Sequence, residues 1–319
     1  MKVLITGGAG FIGSNLCRLL LESNTLEEVR VIDDLSTGSL QNLDGLNVQF
    51  IEDSILNFEG LAAAAEDVDS IVHLGAIPSV PRSIANPRAS HDANTTGTLN
   101  VLEVARAAGI GHVIVASSSS VYGSNPKLPK NEDDYTRPMS PYAVSKLATE
   151  SYALAYQASY GIKTLAFRFF NVYGPNQAAN HAYAAVIPKF LDATLNSRAA
   201  QIHGDGEQSR DFTYVDTVCS VIREAVIEQV YSPEPVNLAY GTNTTLLSLI
   251  SEIETLLGRP VLRQHVTPRT GDVRASQADN SRVRELFPGI EPVELKQGLT
   301  ATIEWFQRTA EEDVYGATS

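Results

Sequence analysis

Near its N-terminus the chain reads Val3-Leu4-Ile5-Thr6-Gly7-Gly8-Ala9-Gly10-Phe11-Ile12-Gly13. A short apolar run leads into closely spaced glycines, and apolar residues then recur at helical spacing through Leu16, Leu19 and Leu20. This order predicts a buried strand, a tight turn and the first helix of an alternating fold.

The same alternation continues along the first half of the chain. Further apolar runs of strand length lie at 29–32, 48–51, 71–74, 113–116 and 164–167. Predicted helices at 61–66, 94–108 and 142–160 separate several of them. Strands that alternate with helices predict an α/β fold with a doubly wound parallel sheet of the Rossmann type, covered on both faces.

The pattern becomes irregular after Arg168. Residues 171–183 are rich in Asn, Gly, Pro and Gln and are predicted as a loop. Helices are predicted at 185–195, at 212–228 with its entry turn, at 245–257 and around Trp305, and residues 236–238 form one more strand of the sheet. We therefore expect a Rossmann domain of residues 1–170 plus 212–243 and a smaller C-terminal lobe of 171–211 plus 244–319.

Composition limits the class of protein. The 319 residues are 43% hydrophobic and 19% charged, as in soluble globular proteins. A net charge of −13 and a pI near 4.9 argue against a nucleic-acid or anionic-membrane binder. Cys17 and Cys219 have no Cys or His at ligand spacing, so we expect core thiols and no metal site. No signal segment or long apolar run is present, which predicts a cytoplasmic protein.

The glycines at 7, 10 and 13 recur every three residues between a strand and a helix. Glycine permits a tight turn and lets the backbone approach a pyrophosphate, while the helix N-terminus offers N–H groups to the phosphates. The turn, made of Gly7, Gly10, Phe11, Ile12 and Gly13, is therefore predicted to bind a dinucleotide.

Two acidic strand ends complete the predicted cofactor site. Asp33 lies 20 residues after Gly13, where a carboxylate accepts hydrogen bonds from the adenine ribose and repels the extra phosphate of NADP. NAD is therefore the predicted cofactor; the alternative is an aspartate that only caps the following turn. Asp53 and Ser54 end the third strand in position to meet the adenine, with a plain turn as the alternative.

A second chemical stretch runs from Ser117 to Lys146. Its serines follow a buried strand, and Ser140-Pro141 is typical of a helix start. Tyr142 and Lys146 then share one helix face. A cation beside a phenol favours the phenolate and lowers a pKa that is ordinarily about 10. The alternative is an ordinary pair on a helix surface.

Together these motifs resemble a known family. The glycine triplet, Ser117-Ser118-Ser119-Ser120-Val121-Tyr122-Gly123, Tyr142 with Lys146, and Arg168-Phe169-Phe170-Asn171 are similar to the extended short-chain dehydrogenases/reductases. Within them the chain resembles the UDP-hexose 4-epimerases, from Met1 to about Trp305. The similarity includes the segments 182–189 and 204–212.

The resemblance implies an isomerase with a redox cycle. Tyr142, as phenolate, removes the proton of the sugar 4-hydroxyl while hydride passes from C4 to NAD, and Ser118 hydrogen-bonds the same oxygen. Lys146 binds the nicotinamide ribose and lowers the Tyr142 pKa. A transient 4-keto sugar then turns over and takes the hydride back on its other face.

The resemblance also implies most of the binding residues. Leu74, Gly75, Ala76 and Asn94 belong to the cofactor site. Arg210 and Arg269 match a diphosphate clamp, Asp272 an acceptor for the uridine ribose, and Gln201 with His203 a uracil-contacting strand; for His203 a packed strand histidine stays the alternative. The remaining substrate residues are Ser79, Ser118, Ser119, Ser120, Asn171, Gln177, Ala185, Val186 and Ser276. Arg168 is left without a role.

At several positions this chain differs from related enzymes of the family, and these differences limit which sugar it is expected to accept. Ser119 and Ser120 stand where 4,6-dehydratases of the family carry Asp-Glu, and residues 176–180 lack the arginine that meets a uronate carboxylate. Ser276 stands where some members place a tyrosine that excludes an acetamido group. The segment 78–83 and the Gln177 loop resemble the branch that accepts N-acetylated sugars.

We therefore expect C4 epimerisation of UDP-N-acetylglucosamine and UDP-N-acetylgalactosamine, with activity on UDP-glucose and UDP-galactose. The alternatives are an epimerase restricted to UDP-glucose or to UDP-glucuronate, and a non-catalytic NAD-binding relative. Predicted helices around 99–105 and 143–156 carry apolar residues on more than one face, and the family pairs such helices, so a homodimer is expected. The alternative is that both helices only pack on the sheet.

Overall fold

The computed structural model describes residues 1–179, 184–268 and 273–316, with side chains as far as residue 309. In chain order the strands are β1 (Lys2–Thr6), β2 (Glu28–Asp33), β3 (Gln49–Glu52), β4 (Ser70–His73), β5 (His112–Ser118), β6 (Lys163–Phe169), β7 (Asn171–Tyr173), β8 (Ala200–His203), β9 (Ser209–Arg210), β10 (Phe212–Tyr214), β11 (Val236–Leu238), β12 (Thr244–Thr245) and β13 (Arg263–Val266).

The α-helices, numbered the same way, are α1 (Phe11–Leu21), α2 (Phe58–Ala64), α3 (Val80–Ala85), α4 (Pro87–His91), α5 (Gly97–Ala108), α6 (Pro141–Tyr160), α7 (Val186–Leu195), α8 (Val215–Ile227), α9 (Leu246–Leu257), α10 (Ser281–Leu286) and α11 (Leu295–Gly316). Short 3-10 turns lie at Leu40–Leu43 and Ser119–Tyr122, and a π-helical turn at Asp92–Thr96 precedes α5. The helix predicted over 94–108 therefore begins as a π turn.

Seven parallel strands form the main sheet in the order β11-β6-β5-β4-β1-β2-β3. Successive residues of a strand point to opposite faces. Val3 and Ile5 accordingly pack into one buried apolar cluster, and Leu4 packs into a second. Both faces of the sheet are thus covered, and the predicted doubly wound α/β fold is confirmed.

The strand order reverses direction at the centre of the sheet. β1 is followed in sequence by β2 on one side, whereas β4 pairs with it on the other side. The helices that follow two such strands diverge to opposite faces, which leaves a crevice beyond their carboxyl ends. The fold itself therefore places a ligand-sized opening next to the glycine turn.

Two short elements differ from the sequence-based expectation. Residues 212–214 form β10 rather than the entry of a helix, and residues 171–173 form β7 rather than loop. The two strands pair in parallel, with Phe212 opposite Asn171. Three-residue strands are too short to show periodicity, and their pairing depends on contacts between distant segments. β11 lies in the main sheet, as predicted for residues 236–238.

The remaining strands form small pairs outside the main sheet. β9 pairs with β12, and β8 pairs with β13. Cys17 and Cys219 are buried and free, as the composition predicted. In the described ranges, no helix is long and apolar enough to cross a membrane.

A buried ion pair fastens α6 to the sheet. The Arg168 guanidinium at the end of β6 contacts both carboxylate oxygens of Glu150 on α6, at 2.8 and 3.0 Å, and both side chains are 4% exposed. The Ser117 hydroxyl donates to the same carboxylate at 2.7 Å, and the guanidinium lies over the Tyr122 ring. Such two-point contact fixes orientation as well as distance.

Removing one partner of this pair should destabilise the fold strongly. Arg168→Met would leave the Glu150 carboxylate buried without its cation, and we expect a loss of about 3–5 kcal/mol in the free energy of unfolding. Urea unfolding followed by circular dichroism measures it.

The matched control breaks an exposed ion pair, Arg106 with Glu103 on α5, where Arg106 is 45% exposed. Arg106→Met should cost far less, because water screens and replaces that contact. Equal losses for the two variants would contradict the role assigned to the buried pair. Glu150→Gln, which keeps the shape and an acceptor oxygen, should fall between them.

Candidate active site

A cavity of about 610 Å³ lies at the carboxyl ends of the central strands. Its walls come from the turn between β1 and α1, the ends of β2, β3, β4 and β5, and the first turns of α6. This volume lies within the range of cofactor and substrate pockets. The cavity occupies the crevice created by the reversal of strand order.

The glycine turn forms one wall of the cavity by close backbone packing. Gly7 has φ +72°, and a Cβ there would lie 2.7 Å from the Gly75 nitrogen. A Cβ at Gly13 would lie 2.3 Å from the Gly7 carbonyl oxygen. Gly10 caps α1 without a side-chain hydrogen bond, so the helix N-terminus faces the turn uncovered by a capping side chain. These features fit a pyrophosphate, which needs backbone N–H groups and no obstructing side chain.

Asp33 closes this turn from the end of β2. Its carboxylate accepts hydrogen bonds from the Ala9 and Leu35 backbone N–H groups, both at 2.9 Å. Burial raises the pKa of Asp33, while these two hydrogen bonds act in the opposite direction. The side chain lines the cavity, so it both holds the turn and borders the space predicted for the adenine ribose.

Asp53 and Ser54 line the cavity at the end of β3. The Asp53 carboxylate accepts from the Ser54 backbone N–H at 2.7 Å and from the Asn57 side chain at 2.8 Å. The turn that was the alternative interpretation is therefore present. It is compatible with a ligand contact, which stays a prediction.

The segment after β4 lines the cavity with Leu74, Gly75 and Ala76. Asn94 does not line it but holds this segment from behind. Its amide contacts both the backbone N–H and the carbonyl of Ile77, at 2.7 and 3.1 Å, and the Ser145 hydroxyl at 3.0 Å. Since Ser145 belongs to α6, Asn94 joins the loop after β4 to that helix.

His73 was not singled out from the sequence, although it lies at the centre of a buried polar cluster. Its two ring nitrogens contact the hydroxyls of Thr6, at 2.7 Å, and Thr98, at 3.0 Å. Burial, and secondarily the charge of Lys146, lowers the pKa of His73 to about 3. The ring is therefore neutral and ties β1 and β4 to α5. The sequence does contain an indication of this cluster, since a histidine within an apolar strand needs buried hydrogen-bond partners.

Ser118, Tyr142 and Lys146 meet at the cavity wall. Ser118 is the last residue of β5, and its hydroxyl lies close enough to the Tyr142 phenol to lower the pKa of that phenol. Ser140 caps α6 by accepting from the Ala143 N–H at 3.1 Å, and Pro141 occupies the first turn, as the sequence predicted. The helix start therefore aims the phenol at the strand end.

The electrostatics of the pair differ from the expectation that Lys146 lowers the Tyr142 pKa. Burial raises the pKa of Tyr142, and the hydrogen bond from Ser118 opposes this shift. Lys146 donates to the Ala116 carbonyl at 2.8 Å, and burial lowers its pKa to about 8. Burial is thus the main influence on both groups, and with a pKa of about 8 the Lys146 ammonium is mostly protonated at neutral pH.

Two buried polar atoms near this site have no hydrogen-bond partner among the described residues. Gln177 lines the cavity and donates to the Val172 carbonyl at 3.1 Å, but its Oε1 is buried without a hydrogen bond. Ser119 and Ser120 lie in the 3-10 turn after β5, away from the cavity wall, and the Ser120 hydroxyl is likewise buried and unpartnered. Buried acceptors without donors are costly, which makes such atoms candidates for ligand contact.

Other predicted substrate residues lie outside this cavity wall. Asn171, Arg210 and Ser276 are joined by backbone pairing, as Asn171 bonds to the residue after Arg210 and the Ser276 N–H donates to Ser209 at 3.2 Å. Ala185 and Val186 start α7, whose N-terminus has no side-chain cap. Gln201 and His203 lie on β8, as predicted.

Ser79 also lies outside the cavity wall, at the start of α3. Ser79 caps α3 with φ +96°, a strained value for a residue with a side chain. Arg269 and Asp272, and part of the segment 182–189, lie outside the described residues. The sequence did not indicate several further wall residues, which are Asp34, Thr37, Asp92, Phe169 and Phe170. Among the described residues no cluster of His, Cys, Asp or Glu is arranged to hold a metal ion.

Comparison with known proteins gives consistent matches. Residues 3–239 match the NAD dependent epimerase/dehydratase family. A UDP-glucose 4-epimerase of Mycolicibacterium smegmatis is 35% identical over 317 residues, covering 98% of this chain and all of that protein.

Solved structures agree with the sequence matches. UDP-N-acetylglucosamine 4-epimerase from Methanobrevibacter ruminantium, in complex with UDP-N-acetylmuramic acid, superposes with a TM-score of 0.91 at 35% identity, over 97% of this chain and 98% of that one. UDP-glucuronic acid 4-epimerase from Bacillus cereus, in complex with UDP-glucuronic acid and NAD, gives 0.87 at 31% identity, over 97% and 100%.

The effect of Ser118 on Tyr142 predicts a measurable shift. Ser118→Ala removes the hydroxyl that lowers the Tyr142 pKa, so the phenol should ionise at higher pH than in the wild type. Ultraviolet difference titration, with each protein compared to its own Tyr142→Phe counterpart, isolates this phenol. Ser124→Ala, at an exposed serine of the following loop, is the control and should leave the titration unchanged. An unchanged Tyr142 pKa in Ser118→Ala would contradict the contact.

Proposed function

The chain belongs to the NAD-dependent epimerase/dehydratase family, and we propose that it interconverts UDP-N-acetylglucosamine and UDP-N-acetylgalactosamine at C4, with activity also on UDP-glucose and UDP-galactose. Its relatives are UDP-sugar 4-epimerases, which are isomerases, and its cofactor is NAD. The observation that carries the proposal is the meeting of Ser118, Tyr142 and Lys146 at the wall of the glycine-lined cavity.

The residues of the cavity fit NAD. The turn of Gly7, Gly10 and Gly13 suits the pyrophosphate, Asp33 the adenine ribose, and Asp53 with Ser54 the adenine, while Lys146 is proposed to hold the nicotinamide ribose. Bound NAD supplies a reversible hydride acceptor for C4 of the sugar. The side of the cavity built by Leu74, Gly75 and Ala76, with Asn94 behind them, completes the proposed cofactor site.

Tyr142 is the proposed general base and acid. As phenolate it takes the proton of the sugar 4-hydroxyl, and as phenol it returns that proton to the 4-keto oxygen. The Ser118 hydroxyl hydrogen-bonds the same sugar oxygen and steadies the charge that develops there. The cation of Lys146 favours the phenolate. Inversion requires the 4-keto sugar to present its other face before the proton and hydride return.

The substrate lobe is proposed to hold the nucleotide. Arg210 and Arg269 clamp the diphosphate, Asp272 accepts from the uridine ribose, and Gln201 with His203 contacts uracil. This assignment goes with a division into an NAD-binding domain, residues 1–170 plus 212–243, and a nucleotide-sugar lobe, residues 171–211 plus 244–319. The location of β11 in the main sheet and of β8 in a separate strand pair supports that division.

Two observations support an N-acetylated sugar. Ser276 is small where some family members place a tyrosine, and Gln177 carries a buried carbonyl oxygen that could accept from an amide N–H or a hydroxyl. Residues 176–180 include no arginine for a uronate carboxylate. The alternative is an epimerase restricted to UDP-glucose or to UDP-glucuronate, sugars that occur in the names of the relatives. A non-catalytic NAD-binding protein is disfavoured by the complete Ser118, Tyr142 and Lys146 set.

A panel of nucleotide sugars tests the proposed specificity. The NAD-loaded enzyme is incubated with UDP-N-acetylglucosamine, UDP-glucose and UDP-glucuronate, and the products are separated by chromatography. We expect UDP-N-acetylgalactosamine and UDP-galactose, with no C4 epimer of UDP-glucuronate, and no product with Tyr142→Phe.

A substitution at Ser276 makes the same test internal. Ser276→Tyr should selectively reduce turnover of the N-acetylated sugar, by about tenfold or more. The reason is that the tyrosine ring would clash with the acetamido group and weaken binding of that sugar. Turnover of UDP-glucose serves as the control in the same variant. Failure of the wild type to epimerise UDP-N-acetylglucosamine would overturn the proposal.

We also propose that the enzyme is a homodimer. The only charged residues of α6 are Lys146 and Glu150, and both are buried, so the exposed face of this 20-residue helix carries no charge. That face presents Val144 at 55% and Tyr152 at 36% exposure. An uncharged face of this length is typical of a helix that packs against another protein surface.

Sedimentation equilibrium tests the dimer. The wild type should show about twice the 34.4 kDa chain mass, and Tyr152→Glu should shift the equilibrium to the single chain, because it buries a charge in the interface. Tyr135→Glu, at a tyrosine that is 59% exposed in the loop before α6, is the matched control and should remain dimeric. A wild-type protein of single-chain mass would contradict the proposal.

A further inference from the structure

Asp211 is a carboxylate enclosed within the protein. It lies between β9 and β10 with no exposed surface. Its oxygens accept four hydrogen bonds, from the backbone N–H groups of Gly241 at 3.0 Å, Thr242 at 3.1 Å and Ala278 at 3.0 Å, and from the Thr242 hydroxyl at 2.9 Å. A buried carboxylate is tolerated when its oxygens are satisfied in this way.

These bonds join chain segments that are far apart in sequence. Gly241 and Thr242 follow β11 of the main sheet, whereas Ala278 precedes α10. The backbone carbonyl of Asp211 itself accepts from the N–H and the side-chain amide of Asn171, at 3.1 and 3.2 Å. One residue therefore connects β7, the loop after β11 and the segment before α10.

β7 and the segment before α10 each carry a group proposed to bind the nucleotide sugar, and a third such group is adjacent to Asp211 itself. Arg210 directly precedes Asp211, Asn171 is bonded to its carbonyl, and Ser276 lies two residues before Ala278. The Thr242 hydroxyl, which donates to the carboxylate, also accepts from the Phe212 N–H at 2.9 Å and so fixes the start of β10. Backbone bonds already join Asn171 to Asp211 and Ser276 to Ser209, and the carboxylate ties the loop after β11 and Ala278 to them. Loss of the carboxylate would therefore loosen this arrangement.

The cofactor wall is held by a different set of contacts. The glycine turn is fixed by Asp33, and the loop after β4 by Asn94 and His73. None of the hydrogen bonds that Asp211 makes among the described residues involves that wall. Disturbance of Asp211 should therefore reach the substrate side and spare the NAD side.

We infer that Asp211 is a positioning residue that sets the relative placement of Asn171, Arg210 and Ser276 and thereby the affinity for the UDP part of the substrate. The inference rests on the proposed function, since it assigns these three groups to the nucleotide sugar. The inference requires no contact between Asp211 and the substrate. The carboxylate acts through the backbone of the residues that it holds.

Calorimetric titration of UDP into the NAD-loaded enzyme tests the inference. Asp211→Asn keeps the size of the side chain but replaces one carboxylate oxygen with an NH2 group. That group would point at backbone N–H donors and could not accept their hydrogen bonds. The dissociation constant for UDP should rise by about tenfold or more, since a hydrogen bond to a charged group is worth at least that factor. The KM for the nucleotide sugar should rise in parallel, while kcat and the NAD content of the purified protein stay near wild type.

A milder variant covers the case in which Asp211→Asn does not fold. Thr242→Val removes one of the four donors and leaves the three backbone donors in place, so it should raise the UDP dissociation constant by a smaller factor, about threefold. The matched control is Thr255→Val. Thr255 is exposed like Thr242, but its hydroxyl donates to the Ser251 carbonyl within α9, so UDP affinity should not change.

The possible outcomes are distinct. A raised UDP dissociation constant and KM with unchanged NAD content supports the inference. Wild-type UDP affinity in Thr242→Val and in folded Asp211→Asn overturns it, as does a parallel loss of NAD and UDP binding, which indicates only general destabilisation. If the wild type itself does not bind UDP, the proposed function fails, and this inference fails with it.

Discussion

The close approach of two backbone segments, the turn at Gly7 and the loop at Gly75, is the constraint on which the cofactor side depends. β1 and β4 are neighbours in the sheet, and the chain diverges to opposite faces beyond them. A single Cβ at Gly7 would collide with the Gly75 nitrogen. Because both walls of the crevice are bare backbone at this point, α1 can start beside the sheet with its N–H groups turned to the opening. The location of the cavity follows from this packing.

Much of the fold could be predicted from local sequence. Apolar runs such as Val3–Ile5 alternate between the two faces of the sheet, and long helices such as α6 carry their start signal in Ser140 and Pro141. The pair β7 and β10 could not be predicted in this way. Each strand has three residues, and the reason for its existence is a partner about 40 residues away rather than its own composition.

The site divides along the same line. Some residues of the cavity wall could be predicted from sequence, because their patterns span only a few residues or mark the end of a strand. They are Tyr142 with Lys146, the glycine turn and Asp33. Three other residues, Arg168, His73 and Asp211, are buried. The role of each depends on contacts with residues of other elements. A polar residue in an apolar context signals that such a partner exists, but the sequence does not say which residue it is. The direction of the Tyr142 pKa shift was missed for a related reason, since desolvation depends on the whole surrounding structure.

The ion pair between Arg168 and Glu150 has a consequence for how such enzymes can diversify. It anchors α6 to β6, and so it fixes the orientation of the helix that carries Tyr142 and Lys146 at the cavity wall. Gln177 and Ser276 take no part in the contacts of this ion pair, so substitutions there leave the anchoring of α6 unchanged. If the proposed roles hold, one fixed set of Ser118, Tyr142 and Lys146 can be combined by mutation with different sugar-binding surfaces.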